Sequence, residues 1–321
     1  MKSKTESSRE VISQLAVEME IFEQTLRREF TGGSPIQAAA CDLVSRGGKR
    51  LRPAMLIAAA HLGEYRQNRA MHVAMAIEVI HSATLLHDDV IDHADTRRGE
   101  STLHTDQGDH MAIYTGDFLL ARGLRLIARS GLQLREMARI ADAVEQICTG
   151  EVAQYLGRNK VPGYRAYLRR IMSKTGILFA ASAASGGYCA ELPDDQIRLL
   201  WHFGMRFGAA FQIRDDLIDM DESKQSAGKP TGHDLVEGVL TLPVLLASAD
   251  RDFRRMLDIF LDSPRSHRDV QELIRLSHQL GAIRQSRQIL QRQVDRCGET
   301  LDRLPAGPGR DMLFSLLDLF H

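Results

Sequence analysis

The 321-residue chain has one tryptophan and an aromatic share of only 6%. Period-two runs rich in valine, isoleucine and aromatics are missing, which argues against a sandwich or a barrel. Its four cysteines, Cys41, Cys148, Cys189 and Cys297, lie far apart with no CxxC pair. Neither a zinc cluster nor a disulfide framework is indicated, and reduced thiols in a cytoplasmic protein are expected. Neither charge sign is in excess, with 41 Lys plus Arg against 42 Asp plus Glu. No basic field points to nucleic acid, and no acidic surplus points to disorder. Long apolar runs are also absent. The longest charge-free stretch, between Lys174 and Glu191, has 16 residues diluted by Ser182, Ser185, Gly186 and Gly187, so no segment is expected to span a bilayer. The opening MKSKTESSRE lacks the apolar core of a secretion signal.

What remains is helical periodicity. Apolar residues recur three and four apart, as in Leu15, Met19, Phe22 and Leu26, and this spacing predicts amphipathic helices. Gly and Pro clusters divide the chain into about ten helices, with no gap long enough for an interdomain linker and no solenoid repeat. The expectation is an all-α chain, one helical bundle over residues 1–321 around a central cavity. The apolar run Met312 to Phe320 reads as core packing, with at most a peripheral membrane contact as its other use.

One internal echo carries chemistry. Asp88-Asp89-Val90-Ile91-Asp92 and, 127 residues later, Asp215-Asp216-Leu217-Ile218-Asp219 both read DDxxD, each after an apolar stretch. On a helix, positions i and i+4 share a face, so Asp88 with Asp92, and Asp215 with Asp219, form two carboxylate rungs. Such rungs repel unless a cation intervenes, and hard oxygen ligands favour magnesium, which recruits phosphate oxygens. A solvated acidic surface is the plainer alternative for one motif alone, but the apolar setting of both opposes it. A diphosphate site also needs cationic clamps. The sequence offers Gly47-Gly48-Lys49-Arg50-Leu51-Arg52-Pro53, Arg97-Arg98-Gly99, Lys174-Thr175-Gly176 and Gly228-Lys229-Pro230.

In that order these segments resemble the trans-isoprenyl diphosphate synthases, whose pattern is GGKRxRP, HxxxLxHDDxxD with RRG, KT, then FQxxDDxxD and GKPxGxD; the match runs from about residue 44 to 246. The resemblance implies that Asp88, Asp92, Asp215 and Asp219 ligate about three magnesium ions holding an allylic diphosphate. It further implies that Arg97, Lys174, Thr175, Gln212 and Lys229 complete that pocket, and that Lys49, Arg52, His81 and Arg98 bind isopentenyl diphosphate. His81 stands seven residues before Asp88, two turns up the same face. The implied reaction ionises the allylic diphosphate and adds the isopentenyl double bond to the cation. No protein nucleophile or general base is assigned, and His87, His93 and His104 are left as structural or surface residues.

Ala83 and Thr84, the fifth and fourth residues before Asp88, are small where short-chain members often carry bulky side chains, which favours a product of about C30 to C50 over one of C15 to C20. One departure stands out: the family often has EGKxTLP, and here Val239 replaces the lysine, which removes a cation. Tyr167-Leu168-Arg169-Arg170 resembles the catalytic subunit of heptaprenyl synthases, which work with a second, non-homologous subunit. A homodimer, or such a heteromer, is therefore expected. Terpene cyclases share the fold but have Asn, Ser and Glu ligands in the second motif, and a phosphohydrolase would need further ligands. A P-loop fails at Ser223 and Pro230. A non-catalytic helical scaffold is opposed by the intact acidic and basic sets.

Overall fold

A computed structural model of the chain describes residues 4–220 and 231–320. Lys229, assigned above to the allylic pocket, lies outside the described residues. The helices are α1 Lys4–Glu29, α2 Pro35–Ser45, α3 Leu51–Ala60, α4 Gln67–Ile91, α5 Leu103–Gln107, α6 Asp109–Arg129, α7 Leu134–Leu156 and α8 Tyr164–Ile171. A π-helical turn at Met172–Gly176 leads into α9 Ile177–Cys189, followed by α10 Asp194–Asp219, α11 His233–Val236, α12 Leu242–Ala247, α13 Arg251–Leu261, α14 His267–Gln279, α15 Ala282–Leu301 and α16 Pro308–Ser315. The expectation of about ten or more helices holds; among the sixteen that the described residues form, α5, α11 and α12 are only one or two turns long and carry no periodic signal of their own. The described residues contain one hairpin, in which Thr96–Arg97 (β1) pairs antiparallel with Glu100–Ser101 (β2).

The core explains where the acidic motifs end up. α9 runs between α3 and α10, and α4 lies against α6. Its sequence ILFAASAASGGYC is buried along almost its whole length, as expected of a helix without a polar face. Ser182 donates its hydroxyl to Leu178 O at 2.7 Å, which satisfies it internally. Close approach is what the glycines provide: a Cβ on Gly204 or Gly208 of α10 would lie 2.5 Å from backbone atoms of Ala180 or Gly176. Phe22, Phe179, Phe203 and Phe207 are fully buried, each contributing roughly 1.5–3 kcal/mol relative to exposure. The C-terminal run closes the bundle: Met312, Leu313, Leu316 and Leu317 are buried, and the Phe320 ring stands 5.2 Å from that of Phe207. All four cysteines are free. Among the described residues no helix is long and apolar enough to cross a membrane.

Candidate active site

Both acidic motifs occupy helix C-termini. α4 ends at Ile91, and Asp92 is its C-cap, with its N–H still bonded to Asp88 O at 2.8 Å. Asp219 is the last residue of α10. A helix C-terminus carries partial negative charge, so carboxylates there are opposed by the dipole and a cation is favoured twice over. The two helix ends open onto two adjoining clefts that share Arg97, Lys174 and Gln212.

The inner cleft, about 600 Å³, holds Asp88 and Asp215 together with Lys49, Arg52, His81 and Arg98. Lys49 Nζ lies 5.7 Å from the Phe211 ring centre and the Arg52 guanidinium 4.4 Å from that of Phe179, so an aromatic platform under the cations orients them without neutralising them. Arg52 Nη1 donates to His81 Nε2 at 3.0 Å. Arginine has no acceptor, so Nε2 is unprotonated. Burial, then the charges of Arg52 and Arg98, holds His81 well below its usual range and therefore neutral. Burial likewise lowers Arg52 to about 10. Arg98 adopts φ 55° beside the hairpin turn and donates to Gly47 O. A Cβ on Gly48 would meet Arg98 Nη1 at 2.6 Å, so the glycine pair makes room for this cation. Arg50 is withdrawn from the cleft chemistry by its bonds to Glu23 at 2.6 Å and Glu78 at 2.8 Å.

The outer cleft, about 470 Å³, is lined by Asp92, Arg158, Arg170, Asp234, Glu237 and Val239 among others. Lys174, on the π-helical turn, pairs with Glu151 at 2.9 Å. Thr175 donates its hydroxyl to Gln212 Oε1 at 2.8 Å, and Gln212 Nε2 donates to Asp216 Oδ1 at 3.1 Å. Asp216 Oδ2 accepts from Tyr167 Oη at 2.7 Å and from Leu242 N at 3.1 Å. Asp89, the corresponding residue of the first motif, is buried and accepts from Arg97 at 2.6 Å. The middle aspartates are thus bracing residues, while Asp88, Asp92 and Asp215 face the clefts.

Burial raises the Asp88 carboxyl to about 6, with Glu151 adding repulsion, and burial raises Asp215 to about 6 against the pull of Lys49. Asp234 reaches about 7 through burial and the neighbouring Asp219 and Asp216. Asp219 Oδ1 accepts from His233 N at 3.1 Å, while its Oδ2 is buried with no hydrogen-bond partner among the described residues. Under-neutralised carboxylates, an orphaned buried oxygen and two helix C-termini fit a hard divalent cation. No three His, Cys, Asp or Glu side chains among the described residues gather closely enough to hold an ion by themselves. Phosphate oxygens and water would have to complete such a shell, as is usual for magnesium.

Of the residues singled out from sequence, Lys49, Arg52, His81, Thr84, Asp88, Arg97, Arg98, Lys174, Thr175, Gln212 and Asp215 line the inner cleft, and Asp92 lines the outer one. Asp219 lines neither cleft and neighbours Asp234. Ala83 is fully buried and lines neither of these two clefts. Five residues before Asp88 it lies about 140° round the helix from it, whereas Thr84 shares its face. The side of α4 that carries Ala83 also carries Ile80 and His87, which abut Gly123 and Gly116 of α6. Sequence reasoning gave no role in the site to Glu151, Arg158, Arg170 or Asp234. Only Asp234 had a signal, as the last position of the Gly228-Lys229-Pro230-Thr231-Gly232-His233-Asp234 segment.

The Polyprenyl synthetase family profile matches residues 34–277. Heptaprenyl diphosphate synthase component 2 of Geobacillus stearothermophilus is 38% identical over 306 residues, 94% of this chain and 93% of that protein. Among solved structures, a decaprenyl diphosphate synthase from Rhodobacter capsulatus superposes with a TM-score of 0.90 at 33% identity, covering 98% of both chains. A geranylgeranyl pyrophosphate synthase from Lactobacillus brevis gives 0.88 at 30% identity over 96% of both. The chain belongs to the polyprenyl synthetase family and is a trans-prenyltransferase.

Proposed function

We propose that the chain, working as one catalytic domain over residues 1–321, extends an allylic diphosphate with isopentenyl diphosphate to a medium or long polyprenyl diphosphate of about C30 to C50. The observation that carries this reading is the pair of clefts sharing Arg97, Lys174 and Gln212, which suits two diphosphates meeting across a common wall. The inner cleft takes isopentenyl diphosphate on Lys49, Arg52 and Arg98, with neutral His81 keeping Arg52 aimed. The allylic diphosphate lies toward Arg97, Lys174, Thr175 and Gln212, with Lys229 as a further clamp.

Asp88, Asp92, Asp215 and Asp219 would hold about three magnesium ions, which would supply positive charge against the departing diphosphate. The chain's own residues do the rest. Lys174 and Arg97 offer donors to the leaving oxygens, and the Thr175–Gln212–Asp216 relay holds the wall of the cleft in register. The apolar side chains of Leu85, Ile147, Leu178 and Phe211 around the inner cleft exclude water from the allylic cation. Ala83 and Thr84 are the small residues before Asp88 that leave the way down open.

Family names around this chain span geranylgeranyl to decaprenyl products, so length is tested directly. Purified protein is incubated with magnesium, labelled isopentenyl diphosphate and farnesyl or geranylgeranyl diphosphate, and dephosphorylated products are sized. A ladder ending at about C30 to C50, shortened in Thr84→Phe, is expected. Products that stop at C15 to C20 in the wild type overturn the length. A homodimer is supported by the exposed apolar residues Ile113, Tyr114 and Leu124 of α6 and Val152, Tyr155 and Leu156 of α7. A second, non-homologous subunit is supported by the name of the Geobacillus relative, a component 2. Full activity of the isolated chain, with no companion recovered from the native source, would sink the second subunit. The cytoplasm is the proposed location.

A further inference from the structure

We propose that Arg158 is a substrate-binding residue of the outer cleft, which keeps Asp92 paired until an allylic diphosphate arrives and then transfers its guanidinium to the diphosphate oxygens. This rests on the function proposed above.

Arg158 follows Gly157, the C-cap of α7, and its loop is tied across the cleft mouth. Asn159 N donates to Gly238 O at 3.0 Å, and Asn159 Oδ1 accepts from Arg265. The guanidinium is thereby delivered to Asp92, with Nη2 3.0 Å from Oδ1, while Nη1 stands 4.0 Å from Glu237 Oε2. The Arg158 side chain is 29% exposed and that of Asp92 48% exposed. An ion pair this open adds little to folding, so a purely structural staple explains it poorly, and the same openness makes exchange of partners cheap. Arg158 Nε is buried without a hydrogen-bond partner, so the fork is under-used as it stands.

Of the other two arginines lining this cleft, Arg97 is paired with the buried, bracing Asp89 at 2.6 Å and Arg170 is committed elsewhere. Arg170 donates to Leu240 O at 2.6 Å and stacks on Tyr167 at 5.5 Å. Val239 beside it is aliphatic, so Arg158 is the guanidinium there whose partner is a carboxylate expected to turn to a cation. A planar fork freed from a carboxylate suits two phosphate oxygens equally well.

The test pairs a binding readout with kinetics, using Mn2+ alone as the probe of Asp92 in calorimetric or electron-resonance titrations without substrate. In Arg158→Gln the competing guanidinium is gone, so Mn2+ is expected to bind about threefold more tightly. The KM for farnesyl diphosphate rises about tenfold, and the KM for isopentenyl diphosphate and the melting temperature stay as in the wild type. Arg158→Lys, which keeps the charge but not the fork, raises the farnesyl diphosphate KM by about threefold and serves if the glutamine variant does not fold. An unchanged farnesyl diphosphate KM in an active enzyme, or weaker Mn2+ binding in Arg158→Gln, overturns the proposal. A wild-type chain that forms no prenyl product from any allylic diphosphate overturns the parent reading instead.

Discussion

The two DDxxD segments have the same letters and different mechanics. At the end of α10 the middle aspartate, Asp216, is buried and held by three donors from three places: Tyr167 on α8, Gln212 on its own helix and the backbone of Leu242 on α12. At the end of α4 the middle aspartate, Asp89, is tied to a guanidinium, Arg97, whose side chain is itself 38% exposed. The last aspartates differ in the same sense. Asp219 accepts a backbone N–H from α11, while Asp92 faces solvent and Arg158. One motif is braced by the core with neutral donors and the other by side-chain cations at the rim. The acidic residues that both present to the inner cleft, Asp88 and Asp215, are the part in which the motifs remain alike.

The largest expected effect breaks that likeness. Asp88→Asn and Asp215→Asn each remove one buried carboxylate from the inner cleft, and each is expected to lower kcat/KM by about 10²–10³-fold. Neither loses stability, because an amide in place of an under-neutralised carboxylate removes a desolvation cost. Steady-state kinetics beside thermal melts check both halves, and a variant that keeps more than a tenth of wild-type activity would remove its aspartate from the reaction.

The next effect separates the bracing residues. Asp216→Ala strands the Tyr167 hydroxyl, the Gln212 amide and the Leu242 N–H in the interior, and about 3 kcal/mol of destabilisation is expected. Asp89→Ala leaves Arg97 able to reach water and costs about 1 kcal/mol. Urea denaturation of the two variants ranks them, and equal costs would mean that the two motif ends are braced alike. Tyr167→Phe, which deletes one donor of three, is expected to cost about 1 kcal/mol.

How much of this the sequence discloses depends on whether partners share a helix. The helical class, the two acidic rungs and the glycine-led cations are local patterns and were legible. The face of α4 that meets the cleft was also legible in principle, since His81, Thr84 and Asp88 are spaced at seven and four residues and Ala83 is not in step. Arg158 on Asp92, Glu151 on Lys174 and Tyr167 on Asp216 join residues 66, 23 and 49 positions apart, and no spacing rule connects them. The π-helical turn that carries Lys174 and Thr175 likewise has no composition of its own beyond the Gly176 that lets α9 approach α10.

The smallest effect is a pH dependence. Asp88 and Asp215 are raised to about 6, and Asp234 to about 7, each first by burial. Between the ordinary carboxylate value of 3.8 and those values, the unfolded chain has lost protons that the folded chain retains, so these groups make folding less favourable as pH rises through that window. Below it both states are protonated and the contribution disappears. A divalent cation with inorganic diphosphate binds the ionised form, so at pH 5 it must displace protons and at pH 7.5 it need not. The rise in melting temperature on adding Mg2+ and inorganic diphosphate is therefore expected to grow from pH 5 to 7.5. The growth should flatten in the Asp88→Asn, Asp215→Asn double variant, leaving the part that belongs to Asp234 and its neighbours. A Mg2+-induced shift of equal size at both pH values would mean that the inner-cleft carboxylates are already ionised at pH 5, and the two motif ends would then differ in bracing alone.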